Sequence, residues 1–323
     1  MSQYLLLKDI SVQNANAIAG LTYGFPAMTN FLGFTHTLSR KLPTELGITL
    51  GGVAVISHQN IVHARQPKGW GDYVFALTRN PLTQKGTTAP INEEGRMNMT
   101  LSLLIEISGL LGGAQHMEKA LKKEVEKWLP RLRIAGGQII NIGSVSITNK
   151  DEDGKVLRRL MPGFILVDRS NYLKEHFEQK KQDKDDASLF DAWCDFSKLK
   201  YKATKVDDVK EEEPQEKTDK AIWEYVEKPN PGYLVPIVAG YCAITPVYEA
   251  GEVEKVRDTS VPVAFAEAAY SVAEWMSMHR LESIEQGIWR YAHSYPWYLA
   301  KAMPFKDEVI EFDELDEDAE MKF

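Results

Sequence analysis

The sequence predicts an α+β domain made of two β-α-β units with an excursion between them, and three observations carry that prediction. Apolar and polar residues alternate over residues 97–110, apolar residues recur at helical spacing over 31–38, and strand and helix patterns follow one another twice within residues 1–150. With 323 residues, 44% of them hydrophobic, the chain has the mass for a sizeable core and for about two domains.

The first strand is expected over residues 4–12, where Leu5, Leu7 and Ile10 are bulky, and it runs out into Gln13-Asn14-Ala15-Asn16. Asparagines there are turn formers, or amides presented to a ligand. A loop with Gly20, Tyr23, Gly24 and Phe25 leads to a helix whose Phe31, Leu32, Phe34 and Leu38 form one stripe. Arg40 and Lys41 suit its C-terminal dipole, and Pro43 stops it. A second strand follows over 51–64. Residues 66–95, punctuated by Gly69, Gly71, Pro81 and Gly86, form an excursion expected to project as a hairpin or thumb. Strand character returns at Met97. Residues 115–129 place Met117, Leu121, Val125 and Trp128 on one side of a helix, and 138–145 reads as the fourth strand. That order is ferredoxin-like, the split β-α-β palm that RNA-recognition modules also use.

Helix and fourth strand are joined by Leu132-Arg133-Ile134-Ala135-Gly136-Gly137. Two glycines after a helix are commonly a C-cap. Beside Arg131 and Arg133 they can also present backbone N–H groups to phosphate. Residues 151–306 read as an irregular C-terminal region that completes the palm and offers a partner surface. It holds a basic lead, Arg158-Arg159, into a strand at Phe164, two helical pieces over 171–199, and a flexible acidic loop over 200–220. A strand over 232–243 follows, then a mostly helical stretch over 265–299 whose Trp275, Trp289 and Trp297 would pack inward. Residues 307–323 form an acidic tail.

The formal net charge is −8, yet residues 207–219 hold seven acids against two lysines, and residues 307–323 nine acids against one lysine. The remaining chain is therefore +5, and residues 1–150 carry +6. A basic N-terminal half with acidic appendages permits a polyanionic partner. Cys194 and Cys242 are the only cysteines and form no CxxC pair, which favours a reducing compartment. Leu5, Leu6 and Leu7 are followed at once by Lys8 and Asp9, so the start does not read as a secretion signal. The most apolar run, 233–244, is too short to span a bilayer and contains Pro236. A cytoplasmic protein without membrane contact is expected.

No GxxxxGK[ST], HExxH, GxSxG or CxxC pattern occurs, so neither a cofactor nor a metal site is expected. His58 and His63, five positions apart on one strand, point to opposite faces. His36 is the histidine that could act as a general acid or base on RNA; its plainer reading is a partly buried side chain beside Phe34. Glu93 and Glu94 could pair for acid–base work or form a solvated turn. Arg79, Arg96, Arg133, Arg158 and Arg159 each lie at an element boundary, where a guanidinium can reach phosphate bidentately.

Several short stretches, in order, resemble one family. They are Gln13-Asn14-Ala15-Asn16-Ala17, Tyr23-Gly24-Phe25-Pro26, Gly33-Phe34-Thr35-His36, Leu77-Thr78-Arg79-Asn80-Pro81-Leu82, Glu93-Glu94-Gly95-Arg96, Leu132 through Gly137, Arg158-Arg159-Leu160-Met161-Pro162-Gly163-Phe164, Leu234-Val235-Pro236 and Ala239-Gly240-Tyr241. Together they are similar to the Csy-two branch of the CRISPR-associated Cas five family, subtype I-F, from the first strand to about Arg280. The resemblance implies a non-catalytic subunit of the Csy surveillance complex that holds the 5′ handle of CRISPR RNA. It would sit beside the large subunit and the first backbone subunit and meet target DNA through the complex. Single-stranded RNA would be stacked on Tyr23 or Phe25 and read by Asn14, Asn16 or Asn80. Arg79, Arg96, Arg133, Arg158, Arg159 and the amides of Gly136 and Gly137 would hold its backbone. Two rivals remain open: a metal-independent RNA endonuclease using His36, and a protein-interaction scaffold.

Overall fold

A computed structural model describes residues 3–109, 115–149, 153–205 and 221–303. In chain order the elements are β1 (Gln3–Asn16), β2 (Ile18–Ala19), β3 (Thr22–Tyr23), α1 (Met28–Ser39), β4 (Thr49–Val62), β5 (Ala64–Arg65), β6 (Val74–Arg79), β7 (Ile91–Glu94) and β8 (Arg96–Ser108). They continue with α2 (Gln115–Trp128), β9 (Arg133–Ile134), β10 (Gly137–Asn149), α3 (Asp153–Arg159), β11 (Phe164–Asp168), α4 (Ser170–Asp183) and α5 (Leu189–Asp195). Strands β12 (Lys200–Lys205), β13 (Ala221–Val226), β14 (Leu234–Ala243), β15 (Ala266–Ser277), β16 (Arg290–Ser294) and β17 (Trp297–Lys301) complete the chain.

Ten strands form one antiparallel sheet in the order β16-β17-β14-β15-β11-β4-β8-β1-β10-β9. Its N-terminal block is β4-β8-β1-β10, with α1 in the connection from β1 to β4 and α2 in the connection from β8 to β10. Alternation, reset by a bulge at Asp9, puts Leu5, Leu7, Ile10 and Val12 of β1 on one face with Val53, Val55, Leu101, Leu103 and Ile105. There Phe31 and Leu38 of α1 and Leu121 and Val125 of α2 cover them. Each such aliphatic side chain withdrawn from water contributes about 1.5–3 kcal/mol, an upper range before chain entropy is charged against it. On the opposite face Tyr4, Leu6, Ala54, Ile56 and Leu104 meet Val156 and Leu157 of α3 and Leu160 just after it. Farther along, Tyr172 of α4 and Trp193 of α5 pack against Leu234 and Val272. Ser188 and Asp191 form a reciprocal capping box that starts α5.

A buried ion pair ties α4 to the sheet. Arg169, 1% exposed, bonds Glu274 of β15, 2% exposed, through Nε at 2.7 Å and Nη2 at 2.5 Å. Asp195 at the end of α5 accepts from His176 and Lys180 at 2.9 and 2.8 Å and from Lys200, which opens the β12–β13 hairpin. Burial works to raise the Asp195 carboxyl, but the hydrogen bonds from Lys180, Lys200 and His176 outweigh it and hold it well below the usual carboxylate range.

Four sequence expectations are corrected. The C-terminal region is regular, because β11 and β14–β17 extend the same sheet. Residues 265–299 are mostly strand, with two short 3-10 turns, rather than mostly helical: β15, rich in Ala and Glu, is clamped between β11 and β14, and that pairing on both edges overrides its helical propensity. The tryptophans there share no helical stripe; Trp289 is buried and Trp297 is half-exposed. In the acidic loop, 200–205 is strand β12, paired with β13, while 206–220 and the tail 307–323 lie outside the described residues. The glycine pair does not cap a helix. Ala135 and Gly136, with φ of 48° and 74°, form the two-residue loop of the β9–β10 hairpin, in which Ile134 pairs Gly137 and Arg133 pairs Gln138.

Candidate nucleic-acid interface

The second face of the β4-β8-β1-β10 block changes character halfway along its strands. Where α3 lies over it the residues are apolar. Beyond α3 the same face, with bulges in β1, β4 and β10 shifting their alternation, presents Ser11, Gln13 and Asn16 of β1, Arg96, Asn98 and Thr100 of β8, Gln59 and Ile61 of β4, and Gln138 and Asn141 of β10. Register aligns them in cross-strand rows: Gln13 with Gln138 and Arg133, Ser11 with Thr100 and Asn141, and Thr100 with Gln59. All of them are exposed or half-exposed, and Ile61 is the one large apolar side chain among them, 53% exposed.

A hydrogen-bonded seam marks where the cover stops. His58 Nδ1 lies 2.8 Å from the Pro162 carbonyl oxygen, which can only accept, so that nitrogen carries the proton. Nε2 lies 2.7 Å from Ser102 Oγ, and the Asp9 N–H donates to the same hydroxyl oxygen at 3.0 Å. Asp9 has φ of 54° and sits in a bulge of β1 opposite Ser102.

The residues expected from sequence divide among several places. Arg133 stands exposed on the bare half-face, its Nη1 donating to the Gly136 carbonyl at 3.2 Å. Arg96 is on the same half-face, but its Nε and Nη2 donate to Glu94 at 2.9 and 2.8 Å. The Arg96 hydrogen bond holds the Glu94 carboxyl below its ordinary range, as in a salt bridge. Asn14, also with positive φ, is exposed, and its N–H donates to Asn98 Oδ1 at 3.1 Å. The Asn16 amide is spent locally: Nδ2 donates to the Ile18 carbonyl at 2.7 Å and Oδ1 accepts from the Ile18 N–H at 3.1 Å. Gly136 is exposed. Gly137 is buried because a Cβ there would stand 2.7 Å from Val12 Cγ1 and 2.8 Å from Ala15, so it serves the close approach of β10 to β1.

The others lie elsewhere. Arg79 and Asn80 are exposed at the end of the β6–β7 hairpin away from the sheet. Arg158 and Arg159 are exposed on the last turn of α3, in the layer above the apolar half. Tyr23 and Phe25 line a cavity on the first face of the sheet. Tyr23 is 71% exposed and meets Phe75 edge-on, whereas Phe25 is held between Phe31 and Trp275. His36 is exposed on α1 rather than half-buried, and α1 covers the first face, across the sheet from the bare half-face.

Gln59, Asn98, Thr100, Gln138 and Asn141 were not singled out from sequence. The alternation of Asn98 and Thr100 with Met97, Met99 and Leu101 shows that one side of β8 is polar. Only the register shows that its neighbours turn polar side chains the same way. Amides carry donor and acceptor together and suit the edges of bases, while Arg133 supplies a cation at the rim; most of the face is neutral.

Among the described residues no group of His, Cys, Asp and Glu could hold a metal ion, and no helix is long and apolar enough to cross a membrane. The profile of the family described as CRISPR-associated protein (Cas_Csy2) matches residues 5–300. The chain is also 36% identical over 308 residues to CRISPR-associated protein Csy2 of Pseudomonas aeruginosa strain UCBPP-PA14, covering 90% of this chain and 92% of that protein.

Proposed function

The chain belongs to the CRISPR-associated Csy2 family of subtype I-F, and from that premise we propose that it is a non-catalytic, RNA-binding subunit of the Csy surveillance complex that holds the 5′ handle of CRISPR RNA. The observation that carries the RNA reading is the bare half-face. A sheet surface of exposed amides with Arg133 at its rim can exchange hydrogen bonds with splayed bases while a guanidinium meets the backbone. The β10-β1-β8-β4 block with α1 and α2 on one side is the ferredoxin-like palm of this reading, and its open side is where RNA-recognition modules take their ligand. The β6–β7 hairpin, with Leu77 and Ile91 exposed, is its thumb, reaching a neighbouring backbone subunit. The large subunit is the second protein partner, target DNA is met through the assembled complex, and the setting is cytoplasmic.

A non-catalytic role is supported by the separation of the groups that could move protons. Glu94 is locked to Arg96, and His36 is across the sheet from the amides. The test is purification of the full chain with its co-expressed complex neighbours, followed by sequencing of the bound strand and incubation with precursor RNA. Handle-containing RNA recovered intact is expected. Recovery of no RNA, or cleavage that disappears in His36→Ala, would overturn the proposal.

A further inference from the structure

The cavity beside β4 has about 750 Å³, within the range of roughly 300–1,000 Å³ usual for small-molecule sites. It opens where β11 leaves β4. Those two strands pair only at Phe164 with Ser57 and Ile165 with Ile56. Beyond that point, among the described residues, β4 pairs with β8 alone, so the backbone edge from His58 to Val62 faces the cavity instead of another strand. Phe25, stacked at 5.6 Å on Phe31 and edge-on to Trp275 at 4.8 Å, makes a rigid aromatic wall, and Tyr233, 71% exposed, stands at the mouth.

The polar groups are few and neutral. Asn60 Nδ2 donates to Ser57 Oγ at 3.3 Å, leaving the amide oxygen and one N–H for a ligand. His58 is the one lining residue that could carry charge, and its two nitrogens are engaged by Pro162 and Ser102. Phosphate therefore finds no cation here. A flat neutral group with hydrogen-bonding edges finds ring walls, an amide and an open strand edge.

We infer that this cavity takes one unstacked nucleobase of the bound RNA, its ring between the aromatic walls and its edge against Asn60 and the free edge of β4. The inference rests on the RNA reading above and divides the labour. The strand passes over the amide face on one side of β4, and a single base is turned into the cavity on the other.

The test uses the full chain and synthetic handle RNAs, one intact and a series each carrying one abasic site. One abasic position should weaken wild-type binding about tenfold, the range of a lost base-to-aromatic stack. Asn60→Ala and Tyr233→Ala should each weaken binding of the intact RNA, and the same abasic site should then cost little more. Tyr233→Phe should bind as the wild type does, which excludes misfolding as the cause. Losses that simply multiply, or variants that bind intact RNA unchanged, overturn the cavity assignment and leave RNA binding standing. Absence of binding to every RNA overturns both.

Discussion

Two halves of one sheet face are built by the same four strands; one is roofed by α3 while the other, among the described residues, is bare. Over the roofed half the outward residues are Tyr4, Leu6, Ala54, Ile56 and Leu104; over the bare half they are Ser11, Gln13, Gln59, Asn98 and Thr100. Bulges at Asp9 of β1 and at His58 of β4 fall between them and shift the alternation of those strands by one residue. Side-chain chemistry then decides which half gains by excluding water and which remains free to exchange its hydrogen bonds with a ligand.

The contrast predicts a steep gradient in the cost of substitution. Farther along the sheet, where α4 is tied to β15, Glu274→Ala takes away the carboxylate that Arg169 Nε and Nη2 bond. Chemical denaturation should show a loss of about 3–5 kcal/mol, the usual cost of removing one partner of a buried ion pair. Leu104→Ala, fully buried against α3, should lose about 2–5 kcal/mol. A value under 1 kcal/mol would mean that α3 does not seal that half.

Acid should act on the α4–α5 layer through Asp195. Its folded pKa lies below the unfolded one, so it contributes stability above about pH 4 and loses that contribution as pH falls through and below that point. Melting temperatures from pH 6 to pH 2 should fall more steeply for wild type than for Asp195→Asn. Parallel curves would remove the clamp from the account.

On the bare half the effect moves from stability to binding. Arg133→Ala should lower the salt slope of RNA affinity by about 0.7, the single-strand value for one phosphate contact, whereas Gln138→Ala should alter base preference at constant slope. Thr100→Ala or Gln13→Ala should change folding stability by less than about 0.5 kcal/mol. A large loss from either would show that the bare half is a covered surface.

The same contrast explains what could be read from the residues alone. Strands β1, β4, β8 and β10 and helices α1 and α2 were legible because one face of each is apolar at its own period. Strand β15 was not, because Val272 and Ala273 are buried on opposite faces and the segment shows no clean alternation; its partners β11 and β14 lie 100 and 30 residues upstream. Arg133 and Asn14 could be picked out as candidates because charge and turn chemistry are local. The row from Gln59 through Thr100 and Ser11 to Asn141 was missed because it exists only in register.

The Ala135-Gly136 loop has a consequence for how this surface can vary. A two-residue loop with both φ angles positive admits one pairing, Arg133 with Gln138, and strand side chains repeat every second residue. The identity of Gln138 or Asn141 can drift, and the recognised sequence with it. Length is more constrained: one residue gained or lost beside the loop exchanges Gln138 for the buried Ile139 unless a bulge absorbs it, as β10 does with Ile140 opposite Ser11 and Val12. Variation at this edge is then open to substitution, and to insertion only where a bulge takes up the added residue.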